Sequence, residues 1–197
     1  MEIADVVMSV LVGVGLAAAC GYRVFVPLLA LSLGSATGAV DVSAGWEWVG
    51  SPAAIVALAV ASVLEIGAYY IPAVDNALDA VAIPLATIAG TLATASVSAD
   101  MPPMLRWSVA AIAGGGMALT VQSATTTVRA VTTPVTAGLG NWIVATGELV
   151  MATFSAILAI FLPVIAVLAS LGVIAILLAI ILRFRRKRPE KLAKNLK

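Results

Sequence analysis

Two arginines stand inside otherwise apolar sequence. Arg23 interrupts CGYRVFVP at residues 20–27, and Arg129 closes the run TVQSATTTV. A guanidinium stays charged at any physiological pH, and its planar fork donates two parallel hydrogen bonds to a carboxylate or phosphate. Charges within a membrane segment are expensive and tend to mark substrate or ion paths. Two readings of the pair stand side by side. Each arginine ends a helix and snorkels to the cytoplasmic interface, or both face a polar cavity and bind an anion.

Four carboxylates complete the set. Glu65 lies deep in an apolar segment, with Tyr69 one helical turn on along the same face. It reads as a neutral carboxyl bonded to a neighbouring helix, as the ion-pair partner of an arginine, or as a protonation site. Asp75 and Asp79 are also one turn apart, with Asn76 beside them. Asp75 suits a helix cap; the two together suit cation binding or proton relay. Glu148 follows Gly147 and reads either as an interfacial helix start or as the second-half counterpart of Glu65. Residues 120–136 hold seven threonines, Ser123 and Gln122 beside Arg129. Such a stretch packs as an ordinary helix, its hydroxyls bonded to its own backbone, or lines a wet path in which Gln122 and Thr126 join the arginines in binding substrate.

The chain contains no histidine and one cysteine, Cys20. That removes the commonest metal ligand, the usual general base near neutral pH, and any internal disulfide. No nucleophile–base pair is recognisable. The expectation is a protein that is not an enzyme and that needs neither metal nor cofactor.

The elements that must position these residues are membrane helices. Hydrophobic residues make up 62% of the 197 and charged residues 11%, against about 25% charged in soluble domains. Apolar segments cover residues 3–22, 24–40, 53–71, 77–97, 107–128, 130–144 and 149–182. The loop DVSAGWEWVGSP carries two tryptophans suited to the bilayer interface. The last segment, about 51 Å long as one helix, exceeds a hydrocarbon core of about 30 Å. Pro163 is its natural break, giving a kinked helix or two segments. The expected architecture is an all-α transmembrane bundle of about six to eight segments. Helices near Arg23 and Arg129 are expected to be broken or re-entrant, since both arginines have short segments, glycines and a proline nearby.

Charge sets the orientation. Residues 183–197 hold eight Lys or Arg and one carboxylate, while the other 182 hold three Arg and nine carboxylates. Basic residues flanking a span stay cytoplasmic, so residues 1–182 are expected to form one transmembrane domain and 183–197 a basic cytoplasmic tail. The tail could also attract anionic lipid headgroups; nucleic acid is not an expected partner. MEIADVV carries Glu2 and Asp5 rather than a basic region, so a cleaved signal is not expected. If all seven segments cross, the N terminus lies outside.

A faint repeat joins the two arginines. In residues 13–34 and 114–141, glycines lead into a helix, an arginine follows, and a proline comes four or five residues later. Each unit precedes an apolar segment with a glutamate, Glu65 or Glu148. Repeat units of 1–98 and 104–182 are the candidates, and interrupted helices in repeats mark binding sites in many transporters.

These residues also resemble a known family. Gly21, Arg23, Phe25 and Pro27 form a G-x-R-x-F-x-P signature similar to that of the bacterial domain-of-unknown-function 4126 proteins. Glu65, Ala68, Ile71, Pro72, Asp75 and Asp79 fit a second signature, and Arg129 after a glycine-led helix fits as well. The resemblance covers most of the chain and implies a small polytopic inner-membrane protein. It brings no established activity. The chain departs from the family at Tyr69 and Tyr70, where charged residues usually precede Ile-Pro.

The leading functional expectation is a transporter or lipid translocase for an anionic substrate. Arg23, Arg129, Gln122 and Thr126 would bind the anion, and Glu65, Asp75, Asp79 and Glu148 would pair with the arginines or carry protons or a cation. The alternatives are a non-transporting scaffold whose charges are structural, and an ion channel. Membrane lipids are the expected surroundings. Gly- and Ala-rich helices also permit close packing between copies as a homo-oligomer.

Overall fold

A computed structural model describes residues 3–98, 101–136, 140–176 and 179, and within helices omits the side chains of 72, 73, 75, 76, 79, 130–136, 140 and 141. The basic tail at 183–197 lies outside the described residues. The helices are α1 (Ile3–Cys20), α2 (Phe25–Thr37), α3 (Pro52–Ala68), α4 (Pro72–Val97), α5 (Pro103–Val109), α6 (Gly116–Thr136), α7 (Gly140–Phe161) and α8 (Pro163–Ile176). A 3-10 turn, Glu47–Gly50, precedes α3, and a π-helical turn, Ala110–Gly115, joins α5 to α6. No strand occurs among the described residues.

Local chemistry explains the ends. Helix α2 stops at Gly38, whose positive φ of 73° lets the chain turn while its N–H bonds the last carbonyls. Helix α3 starts on Ser51, whose hydroxyl accepts the Ala54 N–H at 3.2 Å, with Pro52 at the first helical position. Leu162 alone separates α7 from α8, because Pro163 opens the next helix.

Stretches within Ile3–Cys20, Ala80–Val97, Pro103–Arg129 and Trp142–Phe161 are long and apolar enough to cross a membrane. Helices α2 and α3 have 13 and 17 residues, about 20 and 26 Å, both short of the hydrocarbon thickness. Large apolar side chains such as Val56, Val63, Leu64, Ile112 and Phe161 face outward, as bilayer-facing surfaces require.

Helix α1 is the centre of the bundle. Every residue from 16 to 20 is fully buried, against α4, α6 and α7. Gly15 lies opposite Ala159, while Arg23 meets Ala145, so α1 and α7 run antiparallel. Small residues allow this approach. At Gly21 a Cβ would lie 2.5 Å from the Val121 Cβ and 2.9 Å from the Ala118 carbonyl oxygen. The turn after α1 is therefore pressed directly onto α6.

One expectation changes, and one pair of alternatives is narrowed. Arg129 does not mark a break: α6 runs through it to Thr136, because nothing between Val128 and Thr133 interrupts a helix. The long last run is two helices, and α8 folds back so that Ser170 and Val173 line one small cavity with Tyr22, Met151 and Ser155. Near Arg23 the chain does break, in the four-residue turn between α1 and α2.

A buried arginine cluster as the candidate functional site

Four elements converge on one point within the bundle. The turn after α1 supplies Arg23, the end of α3 supplies Glu65 and Tyr69, α6 supplies Arg129, and α7 supplies Glu148. Glu148 stands eight residues into α7, about 12 Å from its start. The cluster therefore lies within the helix rather than at its mouth.

Glu148 joins the two arginines. Arg129 grips it with both arms of the fork: Nε donates to Oε1 at 2.9 Å, and Nη2 donates to Oε2. Arg23 Nη2 approaches Oε2 at 3.6 Å and donates to the Ala145 carbonyl at 2.8 Å. Arg23 and Arg129 are 2% and 3% exposed, and Glu148 is 7% exposed, so neither arginine snorkels to the bundle surface.

Tyr69 lies against both guanidiniums. Its ring centroid is 3.6 Å from the Arg23 Cζ and 4.7 Å from the Arg129 Cζ. The negative face of an aromatic ring attracts a cation, and here one ring serves two. Tyr70 ties the same corner to α7: its hydroxyl lies 2.9 Å from that of Thr146, and its ring meets Trp142 edge-on.

Glu65 does something else. Oε1 accepts the Val24 N–H at 2.7 Å, and Oε2 accepts the Phe25 N–H at 3.0 Å. These are free donors at the start of α2, where the helix dipole is positive. A carboxylate 40 residues away in sequence thus caps a helix whose own Val24 cannot.

Gln122 is buried and donates to the Thr126 hydroxyl at 3.3 Å along α6. It precedes Arg129 by two turns, which places both on one side of the helix. Helix α4 begins at Pro72, so Asp75 is its fourth residue rather than its cap. The Asp75 and Asp79 side chains lie outside the described residues. No group of three or more His, Cys, Asp or Glu able to hold a metal occurs among the described residues.

Sequence reasoning did not place Tyr69 against the arginines, nor did it find the Ala145 carbonyl. The i, i+4 spacing of Glu65 and Tyr69 puts both on one face and was the available signal for the tyrosine. A backbone carbonyl leaves no signal.

The family described as Domain of unknown function (DUF4126) matches residues 10–184. The chain belongs to the DUF4126 family. No curated protein and no solved structure was found to match it. The DUF4126 match takes in the whole arginine cluster, from Arg23 to Glu148.

Proposed function

We propose that the protein is a small membrane transporter or lipid translocase for an anion bearing phosphate or carboxylate. The observation that carries this reading is the burial of Arg23 and Arg129 around one shared glutamate, where helix ends meet inside the bundle. Buried guanidiniums are costly unless paired, and two of them brought together on Glu148 present the planar, charged donors that suit an incoming anion. In this reading Glu148 holds both arginines in the empty, closed state, and substrate takes its place. Gln122 and Thr126 extend the polar face of α6. Glu65, Asp75, Asp79 and Glu148 are the groups available for coupling to protons or a cation. Helices α2 and α3 act as re-entrant segments that bring their ends to the site. The protein sits in the inner membrane with the basic tail at 183–197 cytoplasmic.

The test is reconstitution into liposomes. A thermal-shift series with inorganic phosphate, glycerol phosphate and a polyprenyl phosphate selects the probe. Arg23→Ala and Arg129→Ala should abolish its movement while the purified proteins still unfold cooperatively in detergent. Wild-type movement in both variants would end the proposal.

A second reading is favoured by the pairing of all four carboxylate oxygens of Glu65 and Glu148. In a scaffold, the charges are structural. Arg23→Ala would then lower thermal stability, and no anion would stabilise the wild type.

A further inference from the structure

Helix α2 begins without a local cap, since Val24 offers no side-chain acceptor. Its first N–H groups are held by Glu65, a carboxylate from another helix. The residue just before those N–H groups is Arg23, whose guanidinium stacks 3.6 Å from the ring centroid of Tyr69, one helical turn on from Glu65. The Arg23 side chain is 1% exposed, yet its Nε and Nη1 have no hydrogen-bond partner among the described residues. Buried donors are ordinarily satisfied, and a closed structural ion pair would use them. This corner therefore holds more donors than its carboxylates engage.

Helix N-terminal N–H groups beside a guanidinium form the donor set that recognises an oxyanion. We infer that the start of α2 together with Arg23 is an oxyanion-binding site, and that Glu65 occupies it as an internal stand-in for an external carboxylate or phosphate. Both ligand types present what Glu65 presents, paired oxygens with negative charge. The external anion competes with Glu65, and exchange uncouples the end of α3 from the start of α2. The place of this exchange in transport rests on the reading above; the existence of the site does not.

The experiment is chemical rescue followed by thermal unfolding. Glu65→Ala deletes the CH2–COO group, the atoms of an acetate ion, and strands the Val24 and Phe25 N–H groups. The melting temperature should fall. Added formate, acetate or inorganic phosphate should restore several degrees in a saturating manner, whereas chloride at equal ionic strength should not. A long-chain alkyl phosphate in the micelle forms a second arm: stronger rescue by it than by the free anions identifies a lipid-borne ligand. Adding Arg23→Ala to the Glu65→Ala protein should remove the rescue. If Glu65→Ala does not fold, Glu65→Gln, which leaves one N–H unsatisfied, takes its place with a smaller rise. Absence of anion-dependent stabilisation in the folded variant overturns the inference, as does equal rescue without Arg23. Rescue in the Glu65 variant combined with normal transport in both arginine variants would sink the transport proposal alone. The reverse pattern would sink this inference alone.

Discussion

Glu148→Gln is the sharpest perturbation of the cluster, because the change is nearly isosteric and removes one charge that two arginines share. At 3.6 Å from Arg23, the lost attraction is about 4–5 kcal/mol at an effective dielectric of about 20. Arg129, bonded through both Nε and Nη2, loses a comparable term. Removing the charge also recovers the penalty of burying it, so the net falls well below the sum. Deleting one member of a buried pair costs about 3–5 kcal/mol in practice. For a chain of this size that corresponds to a drop of roughly 6–20 °C in melting temperature. The assay is thermal unfolding of purified protein in one detergent, followed by tryptophan fluorescence. Glu47→Gln is the control, since Glu47 lies exposed at the start of the 3-10 turn, where its carboxylate accepts the Gly45 N–H; that variant should melt like wild type. A fall of less than about 2 °C for Glu148→Gln would refute the view that this carboxylate holds the arginines in the closed bundle.

Two further pairs of substitutions test the same packing. Gly21→Ala places a methyl group 2.5 Å from Val121 and should cost about 1–3 kcal/mol as overpacking. Gly67→Ala, in a helix with nothing within 4 Å of the new Cβ, should gain about 0.5–1 kcal/mol; chemical or thermal denaturation of the two variants in parallel checks the opposite signs. Tyr69→Phe keeps the ring over both guanidiniums and should melt close to wild type, whereas Tyr69→Leu should lose about 1–2 kcal/mol of desolvated cation–π attraction. Equal melting of the Phe and Leu variants would show that the ring face does not matter.

The sequence by itself determined the solvent and the alphabet of the site. Uninterrupted apolar runs require helices in a bilayer, because each helix satisfies its own backbone hydrogen bonds. Pro163 located the break in the last apolar run, since proline lacks the N–H that a helix interior needs and a helix start leaves unused. The absence of histidine and the presence of Arg23, Arg129, Glu65 and Glu148 were likewise legible, because charged residues in apolar sequence stand out by type alone. The family was legible too, through two short signatures.

Tertiary structure decided which charge meets which. Sequence offered Glu65 as a partner for Arg23, but α3 packs so that Glu65 reaches the N–H groups of Val24 and Phe25, while antiparallel packing of α1 on α7 hands Arg23 to Glu148 and Ala145. Arg129 resembled a helix end, yet α6 continues through it, because an arginine within a buried helix is tolerated where a carboxylate pairs it, and here Glu148 does. Tyr69 became a platform for two cations only when α3, α6 and the turn after α1 met. Electrostatic pairing depends on distances of a few ångströms between segments far apart in the chain. Periodicity within each segment carries no record of those distances; they are set by the Gly and Ala contacts that fix how closely and at what level the helices pack.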